Sequence, residues 1–164
     1  MSELASKLAK RVGHYRWYAW TARKFWRLDL NVQRLTRGKT TLIGNHNIPR
    51  LILLTKGRST GVTREVPLLC AVTGEGFVVV GSNYGAARHP AWTGNLLAYP
   101  HAWIVVGTSK LACRAVLLSG EERERAWRAL TQEWPPYKAY AERARRELRV
   151  FSLILDDSGD RSDG

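Results

Sequence analysis

Short strand-like runs separated by brief glycine turns dominate the middle of this chain. The runs begin at Leu51, Arg64 and Phe77, and turns over 57–61 and 74–76 connect them. Parallel pairing would need a crossover of about a dozen residues or more, so these connections predict antiparallel pairs. Antiparallel pairing brings strand ends together, and we therefore expect the loops that these strands carry to lie side by side.

Later segments extend the pattern to six predicted strands, over about 51–55, 64–73, 77–82, 101–106, 110–118 and 148–155. The second strand is apolar on both faces, which suits a barrel wall that is packed inside and covered outside. A short helix after Pro90 precedes the fourth strand, and helices over about 119–133 and 137–146 precede the sixth. Ser119 and Glu122 have the spacing of a capping box. We expect a small, closed or nearly closed antiparallel barrel with peripheral helices, mainly β in content.

The length of the chain suits one folded domain, because a chain of about 150 residues buries roughly 70% of its unfolded surface. We divide the 164 residues into a basic, aromatic, helical N-terminal segment (1–39), a barrel (40–156) and a flexible tail (157–164). Cys70 and Cys113 stand alone in apolar runs without CxxC or metal-type spacing. Both are therefore expected to be reduced core thiols.

Positive charge is concentrated in the N-terminal segment. The chain carries a formal net charge of +12, and residues 1–39 contain ten basic residues and two acidic ones. Aromatic residues interleave with these cations between Tyr15 and Trp26, as in segments that rest on anionic lipid headgroups. The same rings would equally cap the core or form the seam of a homodimer, and both interpretations stay open. No signature of a nucleic-acid module accompanies them, so nucleic acid is not an expected partner.

Neither a run of about 18 apolar residues nor a secretory signal pattern occurs in the sequence. We therefore expect a cytoplasmic protein. Peripheral attachment to the inner face of the cell membrane, through residues 1–39, is the extension of that expectation.

Motifs of side-chain catalysis are missing from the sequence. The four histidines share no ligand spacing with one another or with a carboxylate, so no metal site is expected. G-x-S-x-G is absent, and the turn Gly57-Arg58-Ser59-Thr60-Gly61 lacks the lysine and the spacing of a P-loop. Hydrolysis by a side-chain triad is therefore not predicted.

Polar residues at predicted strand and helix ends indicate a ligand site instead. Arg58, Ser59 and Thr60 occupy the first turn and Arg64 follows it, a set able to clamp phosphate or carboxylate. An ordinary hairpin with solvated ends is the alternative for this turn taken alone. Other such residues at element ends, the usual setting for a ligand, are Ser82, Asn83, Tyr84, Gly85, Trp92, Asn95, Tyr137 and Tyr140.

Three motifs in this region carry a resemblance to a known family. They are Thr55-Lys56-Gly57-Arg58-Ser59-Thr60-Gly61-x-x-Arg64-x-x-Pro67-Leu68, then Gly81-Ser82-Asn83-Tyr84-Gly85, then His89-Pro90-Ala91-Trp92-x-x-Asn95-Leu96-x-Ala98-x-Pro100. In their order and spacing, from about Leu51 to Leu155, the chain resembles the deazaflavin-dependent nitroreductase family of actinobacteria. The resemblance implies a split β-barrel of the flavin-reductase type. It also implies binding of coenzyme F-420, an 8-hydroxy-5-deazaflavin whose phosphate and glutamate tail make it a polyanion.

The activity implied by the resemblance is transfer of a hydride from the reduced deazaflavin to a small, hydrophobic, electrophilic acceptor, such as a quinone, an activated alkene or a nitroaromatic. Such a coenzyme carries the hydride itself, which agrees with the missing side-chain motifs. A split barrel that binds flavin mononucleotide (FMN) is one alternative. A basic adaptor without enzymatic activity, held to anionic lipid or nucleic acid by the region from Lys7 to Arg37, is the other.

The resemblance also implies roles for individual positions. Those for the phosphate and tail of the coenzyme are Lys56, Arg58, Ser59, Thr60, Arg64, Glu65, Val66 and Pro67. Those framing the deazaflavin ring are Val80, Gly81, Ser82, Asn83, Ala91, Trp92, Thr93, Gly94 and Asn95. Ser82, Tyr137 and Tyr140 are expected to face the acceptor as hydrogen-bond donors, with Trp134 in the pocket wall. Ser59 and Asn83 depart from the family pattern, which has a basic residue at the first position and admits lysine at the second; Lys56 and Arg88 would then compensate.

Overall fold

The computed structural model describes residues 48–156, and the structural statements below refer to that part of the chain. Its strands are β1 (Arg50–Lys56), β2 (Thr63–Thr73), β3 (Gly76–Val80), β4 (His101–Val106), β5 (Ser109–Leu117) and β6 (Val150–Leu155). Its α-helices are α1 (Ala91–Ala98), α2 (Gly120–Glu133) and α3 (Tyr137–Ala144), and a 3-10 turn spans Asn83–Gly85. The predictions for segment 1–39 and for the tail lie outside the described residues.

The six strands close into one antiparallel barrel. Their order is β1-β2-β3-β6-β5-β4, and β4 pairs with β1 to complete the ring. Every pair is antiparallel, as the short connections predicted. The expected antiparallel barrel, mainly β with peripheral helices, is confirmed.

The barrel interior forms one of two hydrophobic cores. Leu53, Ile104 and Phe151 point inward from three strands, and Trp92 and Leu96 of α1 join them. The Trp92 and Phe151 rings lie 5.8 Å apart between centroids. Helix α1 therefore closes one end of the barrel with apolar side chains.

The second core lies between the barrel wall and the other two helices. Val78 and Val80 of β3 point outward, because successive side chains of a strand alternate between faces. They pack with Leu130 of α2 and Tyr140 of α3. Ala71 of β2 joins this core while Cys70 lies in the barrel interior, so the doubly apolar pattern predicted for the second strand reflects packing on both sides. Among the described helices, none has the length and apolar character needed to cross a membrane.

The two ends of the barrel carry different connections. We call one the loop end, defined by the turn 57–62, the loop 81–90, helix α1 and the link 145–149 between α3 and β6. We call the other the turn end, where two-residue turns over 74–75 and 107–108 join β2 to β3 and β4 to β5. The predicted ligand residues from Lys56 to Asn83 lie at the loop end or at a strand terminus beside it. The exceptions are Glu65, Val66 and Pro67, which lie within β2.

Several predicted boundaries are wrong by one or two residues. The third strand ends at Val80 rather than Ser82, because Ser82 already has helical backbone angles and leads into the 3-10 turn. The last helix ends at Ala144 because Arg145 adopts a left-handed φ of 50°. The predicted capping box is also wrong, since Ser119 makes no side-chain cap hydrogen bond. Gly120 has a φ of 54°, so the first helical residue departs from helical geometry and turns the amides away from the hydroxyl.

Cys70 and Cys113 are free and buried, as predicted. Burial raises the pKa of each thiol to about 12, and Glu133 adds to the effect at Cys70 as Asp156 does at Cys113. Since the thiolate is the reactive form, both side chains are inert packing groups at neutral pH.

Candidate functional site

Helix α1 is tied to the end of β1 by a buried amide. The backbone N–H of Arg58 donates to Asn95 Oδ1 at 3.1 Å, and Asn95 Nδ2 donates to Thr55 Oγ1 at 3.1 Å. Asn95 and Thr55 are 5% and 1% exposed, so both polar groups need these partners. The turn 57–62 is thereby fixed against the first turns of α1.

The Arg58 side chain lies directly across α1. Its Nη1 donates to the Ala91 carbonyl oxygen at 3.3 Å, and a Cβ on Gly94 would overlap that same nitrogen. Gly94 is therefore the position that lets a guanidinium group approach the helix backbone. Arg58 remains exposed on its other side, where it can meet a ligand.

The end of β3 reaches α1 from the opposite side. A Cβ on Gly81 would lie 2.6 Å from Thr93 Cγ2, and the Gly81 N–H donates to the Arg149 carbonyl at 2.8 Å. Thr93 Oγ1 donates to the Pro90 carbonyl at 2.9 Å and accepts from Arg149 Nη1 at 3.2 Å. Both predicted loops thus meet at one helix, which agrees with the expectation that they lie side by side.

The loop after β3 has a left-handed backbone at two residues that are not glycine. Asn83 and Tyr84 have φ values of 45° and 53°. The Asn83 side chain points back into the loop, where Nδ2 donates to the Arg88 carbonyl at 3.0 Å. Left-handed residues of this kind occur where contacts hold them in place, often at functional sites.

Four arginines at the loop end have no ion-pair partner among residues 48–156. Arg58, Arg64, Arg88 and Arg149 form no ion pair with a described carboxylate. Lys56 is also exposed there, with its Nζ 4.7 Å from the centre of the Tyr99 ring. Several cations without a carboxylate indicate a place for an anion from outside.

Ser59 and Thr60 are both exposed in the turn 57–62. Thr60 Oγ1 accepts from the Val62 N–H at 3.3 Å and so stabilises the turn itself. Of the tail positions on β2, Arg64 and Glu65 are exposed, Val66 is half-buried and Pro67 is buried. Arg64 stands opposite Thr55 in the β1–β2 register, which places it next to the turn.

A shallow cavity of about 760 Å³ lies away from these residues, at the start of α2. Its lining includes Glu121, Arg123, Glu124 and Arg125. Arg123 pairs with Glu124 at 3.0 Å, and Arg125 pairs with Glu121 at 3.9 Å. Because its charges are matched internally, this depression offers a ligand less than the loop end does, and we place the candidate site at the loop end.

The predicted acceptor-facing aromatic residues lie beside the loop rather than over α1. Tyr137, Tyr140 and Trp134 are buried in the core between α2, α3 and the barrel wall. Tyr140 lies 6.1 Å from Tyr137 and 6.1 Å from Tyr84, between ring centroids. Tyr84 lies in the loop 81–90, two residues after the half-buried Ser82, so the tyrosine cluster contacts the loop that carries Ser82. Burial, with Tyr140 as the next cause, raises the pKa of Tyr137 well above its usual value, so its phenol stays protonated.

Trp92 and Asn95 are buried; beside Arg58 the surface of α1 is formed by Ala91 and Gly94, whereas Leu97 and Ala98 are exposed further along the helix. The helix therefore presents a flat, small-residue face beside Arg58. No group of three metal-ligating side chains is found within residues 48–156.

Arg146 and Arg149 were missed by the sequence analysis. They stand in the segment Arg145-Arg146-Glu147-Leu148-Arg149, which reads as a charged surface link. Only the pairing of β3 with β6, which sets Val80 opposite Val150, brings this link to the loop after β3. The last strand was predicted, but its neighbour in the barrel could not be read from the sequence.

Comparison with known proteins gives consistent matches. A family model described as F420H(2)-dependent quinone reductase matches residues 25–154. An F420H(2)-dependent quinone reductase of Mycobacterium tuberculosis is 31% identical over 124 residues, which cover 71% of this chain and 83% of that protein. A solved structure described as an F420-H2 dependent reductase is 34% identical with a TM-score of 0.58, over 66% of this chain and 94% of that one. Another, described as a domain-swapped dimer, is 30% identical with a TM-score of 0.59, over 82% of this chain and 99% of that one.

Proposed function

The chain belongs to the F420H(2)-dependent quinone reductase family, and from this we infer that it is an oxidoreductase that transfers a hydride from the reduced deazaflavin coenzyme to a quinone-type acceptor. The observation that carries the inference in the structure is the meeting of two loops at one helix, α1. Arg58 approaches that helix from one side, and Gly81 with Arg149 approaches it from the other.

The chemistry of the loop end fits an anionic coenzyme. Arginine binds phosphate and carboxylate through paired N–H donors, and the cations here have no described carboxylate to occupy them. Arg58 and Arg64, with Lys56, Ser59 and Thr60 around them, are the groups that we propose for the phosphate and glutamate tail. Glu65, Val66 and Pro67 would form the strand surface along which that tail lies.

The deazaflavin ring is proposed to lie against the small-residue face of α1. Gly81 and Gly94 let Thr93 and Arg58 approach the backbone closely, so that no bulky side chain stands between the two loops and α1. Backbone groups over 80–83 and 91–95 would meet its polar edge. When bound, the coenzyme supplies the hydride, and the residues of the chain bind it, orient it and exclude water.

The acceptor is proposed to lie between this face and the tyrosine cluster. A quinone gains negative charge on oxygen as it is reduced, and protonated hydroxyl groups stabilise that charge. Ser82 lies in the loop 81–90, and Tyr140 contacts that loop through the Tyr84 ring. Burial keeps the phenol of Tyr137 protonated. Each of the three would therefore act as a hydrogen-bond donor, with Trp134 in the apolar wall.

A binding titration tests the proposed coenzyme. Quenching of coenzyme fluorescence should saturate at micromolar protein, and FMN titrated in parallel should bind far more weakly because it lacks the long anionic tail. Absence of saturable binding of the deazaflavin would end the proposal, whereas tight FMN binding would favour the flavin alternative.

Substitution of the tyrosines tests the acceptor side. Tyr137→Phe or Tyr140→Phe should lower kcat for quinone reduction about 10- to 100-fold, because each removes a donor to developing charge, while the coenzyme Kd stays within about twofold. Tyr99→Phe is the matched control, since Tyr99 is 39% exposed and outside the cluster. If neither variant at the cluster changes kcat, the acceptor lies elsewhere.

Attachment to anionic membrane through residues 1–39 remains a proposal that rests on composition. Removal of those residues should abolish sedimentation with anionic vesicles while leaving coenzyme binding mostly intact. Loss of coenzyme binding in the truncated chain would favour a structural role for the segment.

A homodimer is proposed from the similarity to a domain-swapped dimer and is tested by the mass of the protein in solution.

A further inference from the structure

Arg146 contacts the loop 81–89 from the link between α3 and β6. Its guanidinium group makes four contacts with backbone carbonyl oxygens and one with a ring nitrogen. Nε donates to the Ala86 carbonyl at 3.1 Å, and Nη1 contacts His89 Nδ1 at 3.0 Å. Nη2 lies within hydrogen-bond distance of three carbonyl oxygens, those of Gly81 at 3.3 Å, Ser82 at 3.4 Å and Arg88 at 3.2 Å. Arginine can make this set because its five N–H donors spread over a rigid plane. One side chain thereby touches both ends and the middle of the loop.

The loop needs such support because its own backbone is strained. Asn83 and Tyr84 hold left-handed φ angles without being glycine. Within the loop, the Gly85 N–H donates to the Ser82 carbonyl at 2.9 Å and the Ala86 N–H donates to the Asn83 carbonyl at 3.0 Å. These two short bonds close the 3-10 turn, and its hydrogen bonds to the rest of the protein come from Arg143, whose Nη1 donates to the Tyr84 carbonyl at 3.2 Å, and from Arg146.

The contact with His89 fixes the state of that imidazole. A guanidinium group donates hydrogen bonds and cannot accept them, so His89 Nδ1 must be the acceptor and carry no proton. The described charged groups that act on His89 are Arg146 and Arg149, and both are positive. Burial first, and then these two arginines, lower the pKa of His89 below its usual value. Neutral His89 thus completes the bonding of Arg146, and protonated His89 would oppose it.

We propose that Arg146 is the positioning residue that holds the loop 81–89 in its ligand-binding shape, with neutral His89 as the partner that completes its hydrogen bonding. The proposal rests on the proposed function, because Gly81, Ser82 and Asn83 are the loop residues assigned to the coenzyme ring. The N–H groups of Arg146 bond to backbone carbonyls and to the His89 ring, and we assign Arg146 no contact with the coenzyme. Its effect on binding is therefore indirect, through the position of the loop.

Arg146→Lys and Arg145→Lys form a matched pair that tests the clamp. Both substitutions keep the positive charge and stand next to each other, but Arg145 is exposed, and within residues 48–156 its side chain makes no hydrogen bond or ion pair. Lysine cannot reproduce a planar fork, so Arg146→Lys should raise hydrogen exchange at the Gly85 and Ala86 amides at least about tenfold. Amides in the middle of β1 and β4 should exchange at unchanged rates. Arg145→Lys should leave all of them within about twofold of the parent chain.

The dissociation constant of the coenzyme is the second quantity to measure on the Arg146→Lys and Arg145→Lys variants. Arg146→Lys should weaken coenzyme binding about 10- to 30-fold, while Arg145→Lys changes it by less than about twofold. Unchanged exchange at Gly85 and Ala86 in a folded Arg146→Lys protein would overturn the proposal. If the parent chain binds no coenzyme, the proposed function fails, but the exchange measurement still decides whether Arg146 holds the loop.

The pH dependence of loop opening tests His89 without altering Arg146. In the open loop His89 should recover its ordinary pKa near 6.5, and in the held loop the pKa is lower. As pH falls below about 6.5, protons bind the open state first, so opening should increase by up to about tenfold at pH 5.5 after correction for intrinsic exchange. His89→Asn offers an amide oxygen that does not titrate, so its loop opening should stay flat over this range. An identical pH profile in both proteins would remove His89 from the proposal, and this arm remains decisive even if Arg146→Lys fails to fold.

Discussion

At the turn end of the barrel, two-residue turns join the strands, whereas at the loop end a turn, a ten-residue loop, a helix and a charged link pack against one another. A Cβ on Gly74 or Gly107 at the turn end would meet nothing within 4 Å. A Cβ on Gly81, Gly85 or Gly94 at the loop end would overlap or press on a neighbouring group. Gly74 and Gly107 of the turns thus face open space among the described residues, whereas the connections at the loop end lie in close contact with one another.

The two ends of the barrel also differ in their charge and in their backbone conformation. The loop end holds arginines without described counter-charges and two left-handed residues that are not glycine. Each such feature costs free energy that a tight turn would not. A protein that needed only a closed barrel could use short turns at both ends. The comparison therefore supports our proposal that the ligand binds at the loop end, while the turn end serves stability.

The largest expected effect is on stability at the turn end. Gly76 begins β3 with a φ of 146°, and a Cβ there would overlap the Leu153 carbonyl oxygen. Gly76→Ala should therefore lower the free energy of unfolding by about 3 kcal/mol or more, as measured by urea denaturation. Gly74→Ala, two residues away in open space, should change it by less than about 0.5 kcal/mol. Equal effects of the two substitutions would show that the turn end is not sensitive to packing.

The next effect is on coenzyme binding at the loop end. Arg64→Ala should weaken coenzyme binding by about 1.5–3 kcal/mol, or about 10- to 150-fold, because it removes a charge-assisted hydrogen bond to the anionic tail. Lys110→Gln is the control at the turn end, where Lys110 lies over the Trp103 ring at 4.8 Å. It removes one positive charge and should leave the Kd within about twofold. A similar loss from both would mean that net charge alone attracts the coenzyme.

Much of the fold was predictable because it depends on local patterns. Short connections around Gly57 and Gly74 determine antiparallel pairing, and Pro90 marks the start of the inserted helix. Boundaries failed where a residue departs from regular geometry, as Arg145 and Gly120 do with their positive φ angles. Such conformations depend on tertiary contacts that a local pattern does not report.

The site was predictable only where its residues lie in motifs. Arg58, Gly94 and Asn95 were found through the resemblance, and the structure brings them together. Arg146 and Arg149 were not found, because their link has the composition of a solvated surface and reaches the loop only through the pairing of β3 with β6. The inward direction of Trp92 was also beyond the sequence, since it depends on how α1 seats in the barrel mouth.

A smaller effect on binding should follow from a change in shape without loss of charge. Gly94→Ala would place a Cβ against Arg58 Nη1, and this flexible side chain would move aside. Stability should therefore change little, while the coenzyme Kd rises about three- to tenfold because Arg58 loses its position over α1. Gly74→Ala again serves as the control, with neither quantity changed. Loss of stability without loss of affinity at Gly94 would contradict the division between the two ends.

The smallest expected effect is a gain. Ser59 stands in the turn 57–62 where the related family has a basic residue, and its side chain is exposed. Ser59→Lys should strengthen coenzyme binding about two- to fivefold at low salt, since an exposed charge near an anion contributes up to about 1 kcal/mol. The gain should fade as ionic strength approaches about 1 M, where screening acts within about 3 Å. Ser109→Lys adds the same charge at the turn end, at the exposed first residue of β5, and should leave the Kd unchanged. If both substitutions strengthened binding equally, the added positive charge would act through the overall electrostatic field of the protein. That result would contradict the proposal that the coenzyme tail binds at the loop end.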